Sequence, residues 1–325
     1  MTVVVLGLDA LDPDIVDPAT HPHLTLSHHR SIETIDSAAG EPATHELWPT
    51  IITGLRPEEH GLLLGEGGVG WENQYLRWAS TAADYLVPDG LQTKVGAWIL
   101  NNTEMDAFRT PATYYEEEGI STLFDRSGTV PIGIPNYVLD PDDEDREHQL
   151  RQRLGEYMEF DPEADHTHEA ADRRDFYEKC LEMVMVRVAR ARRALRGRRY
   201  QLVFGYTSGL DLVGHIDYDH TGLQARAYEE INDFVGELRG DLGSDDELLI
   251  VSDHGLQDGV HTHEAMVAAT DPDLVDSIDG VTDVRDAVEA ELDRTDHQPE
   301  RRVLEDTDGT SGQAVREQLE NLGYM

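Results

Sequence analysis

Short apolar segments alternate along this chain with longer stretches of helical periodicity. The apolar segments end in small or acidic residues, which is typical of buried parallel strands. They cover residues 3–9, 94–100, 130–138, 202–206 and 247–253. The main helical patterns between them cover residues 46–54, 173–196 and 224–239. The alternation predicts an α/β fold with a mostly parallel central sheet that is flanked by helices on both faces.

This fold class also predicts where a binding site would lie. Ligands of such sheets bind beyond the carboxyl ends of the strands. Asp9 and Asp253 end two of the predicted strands, and Asp211 follows the predicted strand over residues 202–206. The three carboxylates are therefore the first candidates for a functional site.

The length of 325 residues permits one large α/β domain, and we predict a single domain over residues 1–325. Residues 105–170 carry the acidic runs EEEG and DPDDEDRE with several prolines and little periodicity. We expect them to form an inserted cap or lid. The C-terminal part, from about residue 270 to 325, is expected to be a helical extension with helices around 284–292 and 313–322.

The charge of the chain restricts its partners. Lys and Arg number 26 and Asp and Glu number 66, so the formal charge is 26 − 66 = −40, while 39% of the residues are hydrophobic. A surface this negative repels nucleic acid polymers and anionic membranes, so we expect neither as a partner. Only Lys94 and Lys179 are lysines. This composition resembles that of salt-loving archaea, and a local acidic surface for a protein partner is the alternative.

The N-terminus and the cysteine content bear on the compartment. The segment MTVVVLGLDALD has no basic region before its apolar run, and the run is too short for a signal peptide or a membrane span. The single cysteine, Cys180, excludes an internal disulfide and a cysteine-based zinc cluster. We expect a cytoplasmic protein in which Cys180 is buried.

Histidines accompany two of the strand-end aspartates. In TSGLDLVGH, Asp211 and His215 are four residues apart, so one helical turn would place both on one face. In IVSDHG, Asp253 and His254 stand where a strand ends. His261 and His263 follow a few residues later. Asp and His ligands without Cys suit zinc or manganese.

Thr44 stands before the helical pattern of residues 46–54. A hydroxyl at that place lies near unpaired backbone N–H groups, where anions bind readily. The alternative is that Thr44 serves as an ordinary N-cap. A hydroxyl that binds a metal ion loses its proton more easily and can act as a nucleophile.

Two further groups have simpler interpretations. His21, His23, His28 and His29 could bind a metal, but we favour surface histidines, and the same holds for His166 and His168. Seven arginines lie between Arg187 and Arg199. They could hold a phosphate-bearing substrate, but we favour their pairing with acidic neighbours at a helix C-terminus.

Four motifs occur in a fixed order: GLDALD at Asp9, T-x8-TG-x5-HG from Thr44 through Thr53 and His60, DLVGH at Asp211–His215, and SDHG at Asp253–His254. Together they resemble the motifs of the type I phosphodiesterase/nucleotide pyrophosphatase family, a branch of the alkaline phosphatase superfamily. The resemblance extends to about Ala268 and implies an alkaline-phosphatase-like fold. It also implies a two-metal phosphoester hydrolase, with zinc expected and manganese possible, in which Thr44 becomes covalently phosphorylated.

Motif matching implies two sets of ligands: Asp9, Thr44, Asp253 and His254 for one metal, and Asp211, His215 and a histidine after SDHG for the other. His261 fits the last place better than His263, because the family's ligand usually precedes a small residue and a short apolar run. The family has an asparagine after its HG motif that helps to hold a phosphate oxygen. This chain has Gly65 there, and Asn73, Asn101, Asn102 or backbone N–H groups are the possible substitutes.

The resemblance leaves several substrates open. A phosphodiesterase or pyrophosphatase is the leading interpretation, with a phosphonate hydrolase or a phosphomonoesterase as alternatives. A sulfatase is disfavoured, because its nucleophile arises in a C/S-x-P-x-R motif and Cys180 is followed by LEMV. A cofactor-independent phosphoglycerate mutase would be expected to use serine in a longer chain. A metal-binding relative that has lost the chemistry is the alternative outside the enzymes.

Overall fold

The computed structural model describes residues 1–37, 40–63, 109–140, 158–160, 168–170, 172–217, 222–294 and 320. Within these ranges a six-stranded sheet has the order β2-β10-β7-β1-β6-β3. Its strands are β1 (Val3–Leu8), β2 (His28–Glu33), β3 (Thr129–Ile132), β6 (Leu202–Thr207), β7 (Glu247–Val251) and β10 (Glu264–Ala269). Strands β3, β6, β1 and β7 are parallel, whereas β10 runs antiparallel to both β7 and β2. The prediction of a mostly parallel sheet is confirmed.

Helices cover both faces of this sheet. They are α1 (Thr44–Thr53), α2 (Pro57–His60), α3 (Thr113–Glu118), α4 (Arg173–Arg196), α5 (Gly209–Ile216), α6 (Leu223–Gly240), α7 (Pro272–Asp276) and α8 (Val284–Arg294). There are also a 3₁₀ turn at Val281–Asp283 and two small two-stranded sheets, β4 (Met158–Phe160) with β5 (His168–Ala170), and β8 (Gly255–Gln257) with β9 (Val260–Thr262). Within the described ranges, no helix is both long and apolar enough to cross a lipid bilayer.

Strand β1 shows why the sheet needs helices on both sides. Its six residues are all buried. Val4, Leu6 and Leu8 pack into the core that α4, α5 and α6 cover, and Val3 and Val5 pack into the core beneath α1 and α8. Because successive side chains of a strand point to opposite faces, a wholly apolar strand is stable only between two apolar layers.

Most predicted elements have the expected positions. The helix predicted over 173–196 has those limits, and the predicted strands at 3–9, 202–206 and 247–253 correspond to β1, β6 and β7. The prediction of a strand over 130–138 is too long, because β3 ends at Ile132 and the chain then takes left-handed conformations at Gly133 and Asn136. Cys180 is free and buried, as expected. The strand predicted over 94–100 lies outside the described residues.

The sequence interpretation missed two strands. After His263 the sequence predicted only helices, around 284–292 and 313–322, so the strand that Glu264–Ala269 form, β10, was not predicted, and neither was β2. Strand β2 lies at the edge of the sheet and buries only Ile32, so it has no apolar run to identify it. Such an edge strand is formed by pairing with β10, a long-range contact that leaves no local pattern.

The predicted cap and extension are described only in part. Residues Thr129–Ile132, inside the range predicted as a cap, belong to the central sheet. The rest of the cap stays a prediction. In the C-terminal part, α8 corresponds to the helix predicted around 284–292 and buries Val284, Val288 and Leu292 against one face of the sheet. The helix predicted around 313–322 lies outside the described residues apart from residue 320.

A buried acid ties the start of β1 to neighbouring loops. Asp246 accepts hydrogen bonds from the backbone N–H groups of Thr2 and Gly243, both at 2.8 Å, and pairs with the Arg198 guanidinium. Burial alone would raise the pKa of Asp246, but these three hydrogen bonds outweigh it and hold the pKa below the ordinary value of 3.8.

We expect Asp246→Asn to lower the free energy of unfolding by about 2 kcal/mol at neutral pH, because an amide cannot accept all these bonds. A folded-state pKa below the unfolded one stabilises the protein above pH 3.8, and the stabilisation is lost as the pH falls through the folded value. The difference in the free energy of unfolding between Asp246→Asn and the unsubstituted protein should therefore become smaller in acid. Urea unfolding at two pH values and constant salt measures it. The exposed neighbour Asp245, changed to Asn, is the control.

Candidate active site

The sheet brings the candidate residues together at one edge. Strands β7, β1 and β6 are parallel neighbours, so their carboxyl ends meet. Asp9 directly follows β1 and Asp253 lies two residues beyond β7. Asp211 lies in the first turn of α5, which begins two residues beyond β6. The expectation that the three carboxylates share one edge of the sheet agrees with these positions.

Thr44 lies in a buried group with one histidine and two aspartates. Its Oγ1 is 3.2 Å from Asp9 Oδ1 and 3.2 Å from His254 Nε2. His254 Nε2 is also 3.4 Å from Asp9 Oδ1 and 3.4 Å from Asp253 Oδ2. Thr44 is the first residue of α1, and Ala43 occupies the N-cap position. The hydroxyl is therefore directed at potential metal ligands rather than used as an ordinary cap.

A second group joins α5 to the β8–β9 hairpin. Asp211 Oδ1 lies 3.2 Å from His215 Nε2 and 3.4 Å from His261 Nε2. The two imidazole Nε2 atoms are themselves 3.1 Å apart. Asp211 and His215 share one helix face, as their spacing predicted.

Asp211 is common to both groups. Ligand atoms of Asp211, His215 and His261 lie within 4.8 Å of one another, and so do those of Asp9, Asp211 and His254. The ligand sets implied by the motifs placed Asp211 in one set alone. The geometry instead places it between the two groups, because α5 starts so soon after β6.

The outer nitrogens of the three imidazoles fix how the rings are oriented. Nδ1 of His215 faces the Gly259 carbonyl at 3.2 Å, and Nδ1 of His261 faces the Pro42 carbonyl at 2.8 Å. His254 Nδ1 faces a backbone carbonyl as well, at 3.0 Å. A carbonyl oxygen only accepts, so each Nδ1 carries a proton and each Nε2 of a neutral ring presents a lone pair to the site.

The buried carboxylates of Asp9 and Asp253 have too little positive charge around them to offset their own negative charge. Burial, together with the charge of Asp211, raises the pKa of Asp9 to about 7. Burial and the charges of Asp9 and Asp211 raise the pKa of Asp253 well above its ordinary value. Within the described part of the chain, no N–H or O–H group donates a hydrogen bond to either Asp253 carboxylate oxygen. Converging lone pairs and carboxylates of this kind fit divalent cations.

The two histidines after SDHG have different surroundings. His261 points into the site, where Asp211 outweighs the effect of burial and raises the pKa of His261 to about 9. The His263 side chain is 61% exposed, and its Nδ1 lies 2.7 Å from Asp36 Oδ1. Successive odd-numbered residues would share a face on a straight strand, but β9 ends at Thr262 and the chain turns into β10.

Two residues that support the site were not found from the sequence. Tyr206 donates a hydrogen bond to Asp9 Oδ2 at 2.5 Å, which leaves Oδ1 directed at Thr44. Asp12 is buried and accepts hydrogen bonds from Gln257 and Thr262, both at 3.1 Å, so it holds the hairpin that carries His261. Asp12 belongs to the GLDALD motif, which was the available signal.

His60 of the HG motif stabilises α1 through hydrogen bonds to the helix. Burial lowers its pKa to about 4, so the ring is neutral. Its Nε2 lies 3.1 Å from both the Glu46 carbonyl and Thr50 Oγ1, and Tyr114 donates to its carbonyl at 2.8 Å. The motif histidine therefore acts on the helix rather than on the candidate ligands.

The arginine-rich end of α4 lies away from this edge. Arg192 pairs with Asp241 at 2.6 Å, Arg196 lies 3.7 Å from the same acid, and Arg198 pairs with Asp246. Because α4 leads into the start of β6, these pairs lie toward the amino ends of the strands, opposite the candidate site. The interpretation as acid-paired arginines is supported for these three.

The other candidates take no part in the groups described here. Among the described residues, neither potential metal-binding group includes His21, His23, His28 or His29. His28 and His29 are exposed, as expected. The expectation of a surface position is wrong for His21, which is buried and lies against the ring of Tyr228. Gly65, Asn73, Asn101, Asn102 and His166 lie outside the described residues. The substitute for the family's asparagine therefore stays a prediction.

The chemistry that this edge of the sheet can support is hydrolysis assisted by metal ions, next to a hydroxyl at a helix N-terminus. The chain belongs to the type I phosphodiesterase/nucleotide pyrophosphatase family, whose profile matches residues 3–313. As a member of this family, the protein is a phosphoester hydrolase.

Similar solved structures share little sequence with this chain. A protein of Pyrococcus horikoshii, PH0037, is 12% identical with a TM-score of 0.43, over 90% of this chain and 98% of that one. The alkaline phosphatase of the Antarctic bacterium TAB5 is 10% identical with a TM-score of 0.39, over 90% and 97%. Murine ectonucleotide pyrophosphatase/phosphodiesterase 5 is 16% identical with a TM-score of 0.40, over 78% and 57%. No curated protein matches the chain.

Proposed function

We propose that this protein hydrolyses small phosphoric esters, as a phosphodiesterase or nucleotide pyrophosphatase, through a phosphorylated Thr44 at a site for two divalent ions. The observation that carries the proposal is the position of Thr44 Oγ1. It lies at the N-terminus of α1, 3.2 Å from both Asp9 Oδ1 and His254 Nε2. The proposed nucleophile thus lies next to potential metal ligands. It also lies at a helix N-terminus, which favours anions.

The proposed ligands follow the two groups. Asp9, Thr44, Asp253 and His254 would hold one ion, and Asp211, His215 and His261 the other, with Asp211 close to both. Zinc fits this mixture of carboxylate and imidazole ligands, and manganese is the alternative. When bound, the ions would lower the pKa of a coordinated hydroxyl and stabilise negative charge on the phosphoryl group.

The residues of the chain then divide the reaction into two displacements. In the first, Thr44 Oγ1 gives up its proton to solvent and bonds to phosphorus, and the bond to the leaving oxygen breaks, so that the leaving group departs with the bonding electron pair and takes up a proton from solvent. In the second, a water oxygen bonds to phosphorus as the bond to Thr44 Oγ1 breaks, and one proton of that water passes to Thr44 Oγ1, which restores the hydroxyl. The first N–H groups of α1 lack intrahelical partners, so they can donate to the phosphoryl oxygens.

We also propose that the substrate is small and that the enzyme works in a salt-rich cytoplasm. The charge of −40 and the presence of only two lysines support this setting, because high salt screens the repulsion between acids. The same charge disfavours nucleic acid polymers and membranes as partners.

The proposal is tested by metal analysis together with an ester panel at molar salt. Protein loaded with zinc or manganese is assayed on bis-p-nitrophenyl phosphate, p-nitrophenyl phosphate, a phosphonate ester and p-nitrophenyl sulfate. About two ions per chain with fastest turnover of the diester is the expected result. Preference for the monoester, the phosphonate or the sulfate would select one of the alternative enzymes. Bound metal with no turnover of any ester would favour a relative without catalysis.

His261 and His263 provide a matched pair for the second ion. We expect His261→Ala to weaken binding of one of two ions by about 100-fold or more, because its Nε2 faces Asp211 inside the site. His263→Ala should change that affinity less than about threefold, because its partner is the exposed Asp36. Competition with a chromophoric chelator measures both. The reverse order of effects would assign the ligand to His263.

A further inference from the structure

We propose that Asn136 is a positioning residue for Thr44, because it supplies the hydrogen-bond donor that Pro49 removes from the first turn of α1. The proposal rests on the proposed role of Thr44 as the nucleophile. Neither Asn136 nor Pro49 is one of the residues that define the four motifs. Asn136 lies 91 residues from its partner in α1, His45.

Pro49 leaves a gap in the hydrogen bonding of α1. In a helix the carbonyl of residue 45 accepts from the N–H of residue 49. Pro49 stands inside α1 and has no N–H, and its ring also crowds the carbonyl four residues earlier. The helix therefore cannot satisfy the His45 carbonyl through its usual donor.

Asn136 fills this gap from outside the helix. Its Nδ2 donates to the His45 carbonyl oxygen at 2.9 Å, and both residues are buried. A buried carbonyl without a donor is costly, so the bond favours one orientation of this turn. His45 directly follows Thr44, and the bond therefore holds the backbone from which the Thr44 hydroxyl projects.

Asn136 is itself held in a single orientation. Its Oδ1 accepts from Thr110, at 3.3 Å from the backbone N–H and 3.0 Å from the hydroxyl, which leaves Nδ2 to face α1. Tyr115 donates to its carbonyl at 2.7 Å. The backbone φ of 56° is left-handed, a conformation that Asn and Gly adopt more easily than other residues. The donor is thus preorganised.

The effect should fall on the chemical step. A nucleophile displaced by a fraction of an ångström to about 1 Å can lose on the order of 100-fold in rate. We expect Asn136→Gly, which keeps the left-handed backbone without strain, to lower kcat about 10- to 100-fold. The KM should change less than about threefold, and the metal content should stay the same, because the hydrogen bonds of Asn136 among the described residues go to Thr110, Tyr115 and His45 and not to a proposed metal ligand.

Pro49→Ala tests whether Asn136 acts by replacing the donor that Pro49 lacks, because the substitution restores the backbone N–H of residue 49. Alone it should leave kcat within about twofold, since the His45 carbonyl already has a donor. Added to Asn136→Gly, it should recover most of the lost kcat. Thr110→Val is the matched control: it removes the hydroxyl bond to Asn136 Oδ1 but keeps the Nδ2 donor, and kcat should stay within about threefold. If Asn136→Gly does not fold, Asn136→Asp replaces it, because Asp tolerates the same backbone and still accepts from Thr110.

Hydrogen exchange of the amides of residues 45–48 gives a reading that does not depend on catalysis. Faster exchange in Asn136→Gly, reversed by Pro49→Ala, is the expected result. Unchanged kcat in Asn136→Gly, or a loss that Pro49→Ala does not relieve, would overturn the proposal. An equal loss in Thr110→Val without faster exchange at residues 45–48 would also overturn it, since the effect would then come from the loop rather than from α1. If Thr44→Ala proves fully active while the exchange result holds, the nucleophile assignment fails and the helix support stands.

Discussion

Thr44→Ala is expected to lose turnover almost completely, by a factor on the order of 10⁴ to 10⁶ in kcat, while it keeps its metal. The change removes the atom to which the phosphoryl group is proposed to transfer. Asp9, Asp253 and His254 keep their positions, because β1 and β7 hold them independently of α1. The measurement is kcat at saturating diester together with metal content by elemental analysis.

Thr44→Ser is the matched control for this prediction. A serine keeps the hydroxyl at the same place without the methyl group, so we expect it to retain activity within about 100-fold of the natural enzyme. A Thr44→Ala enzyme that is metal-replete and still turns over would show that water attacks the ester directly.

Asp211→Asn should have the second largest effect. Its Oδ1 faces both His215 and His261, and it is the one carboxylate common to both groups. We expect metal content to fall from about two ions per chain to one or none, and kcat to fall by at least about 1,000-fold. The loss should exceed that of His215→Ala or His261→Ala, each of which touches one group. Equilibrium dialysis against zinc, followed by assay, gives both quantities.

Asp233, an exposed acid on α6, is the control for the change of charge. Asp233→Asn should bind metal normally and keep kcat within about twofold. If Asp211→Asn instead keeps two ions and full activity, Asp211 is not shared and the division of ligands proposed here is wrong.

Residues at strand ends were predictable because their signal is local. A buried strand is a run of apolar residues, and an acid directly after it marks the edge where parallel sheets bind ligands. Asp9 and Asp253 could be selected on that ground, and His215 by its helical spacing from Asp211. The position of Asp211 between the two groups could not be predicted, because it depends on how soon α5 starts after β6.

The residues that support the site, Asn136 and Tyr206, could not be predicted from sequence patterns for a different reason. Asn136 and Tyr206 act on residues 91 and 197 positions away, through contacts that only the folded chain creates. The edge strand β2 is a similar case, since its pairing with β10 determines it more than its own composition. Pro49 did give a local signal, a proline inside a helical pattern, but its consequence appears only where Asn136 meets α1.

The stereochemical course at phosphorus tests the central claim most directly. The substrate is a diester that is chiral at phosphorus because it carries one sulfur atom and isotopically labelled oxygen. The metal-loaded enzyme hydrolyses it at molar salt, and the configuration at phosphorus in the product is determined. Transfer to Thr44 followed by transfer to water inverts phosphorus twice, so the account predicts net retention. Net inversion would mean a single displacement by water, and would contradict a phosphorylated Thr44.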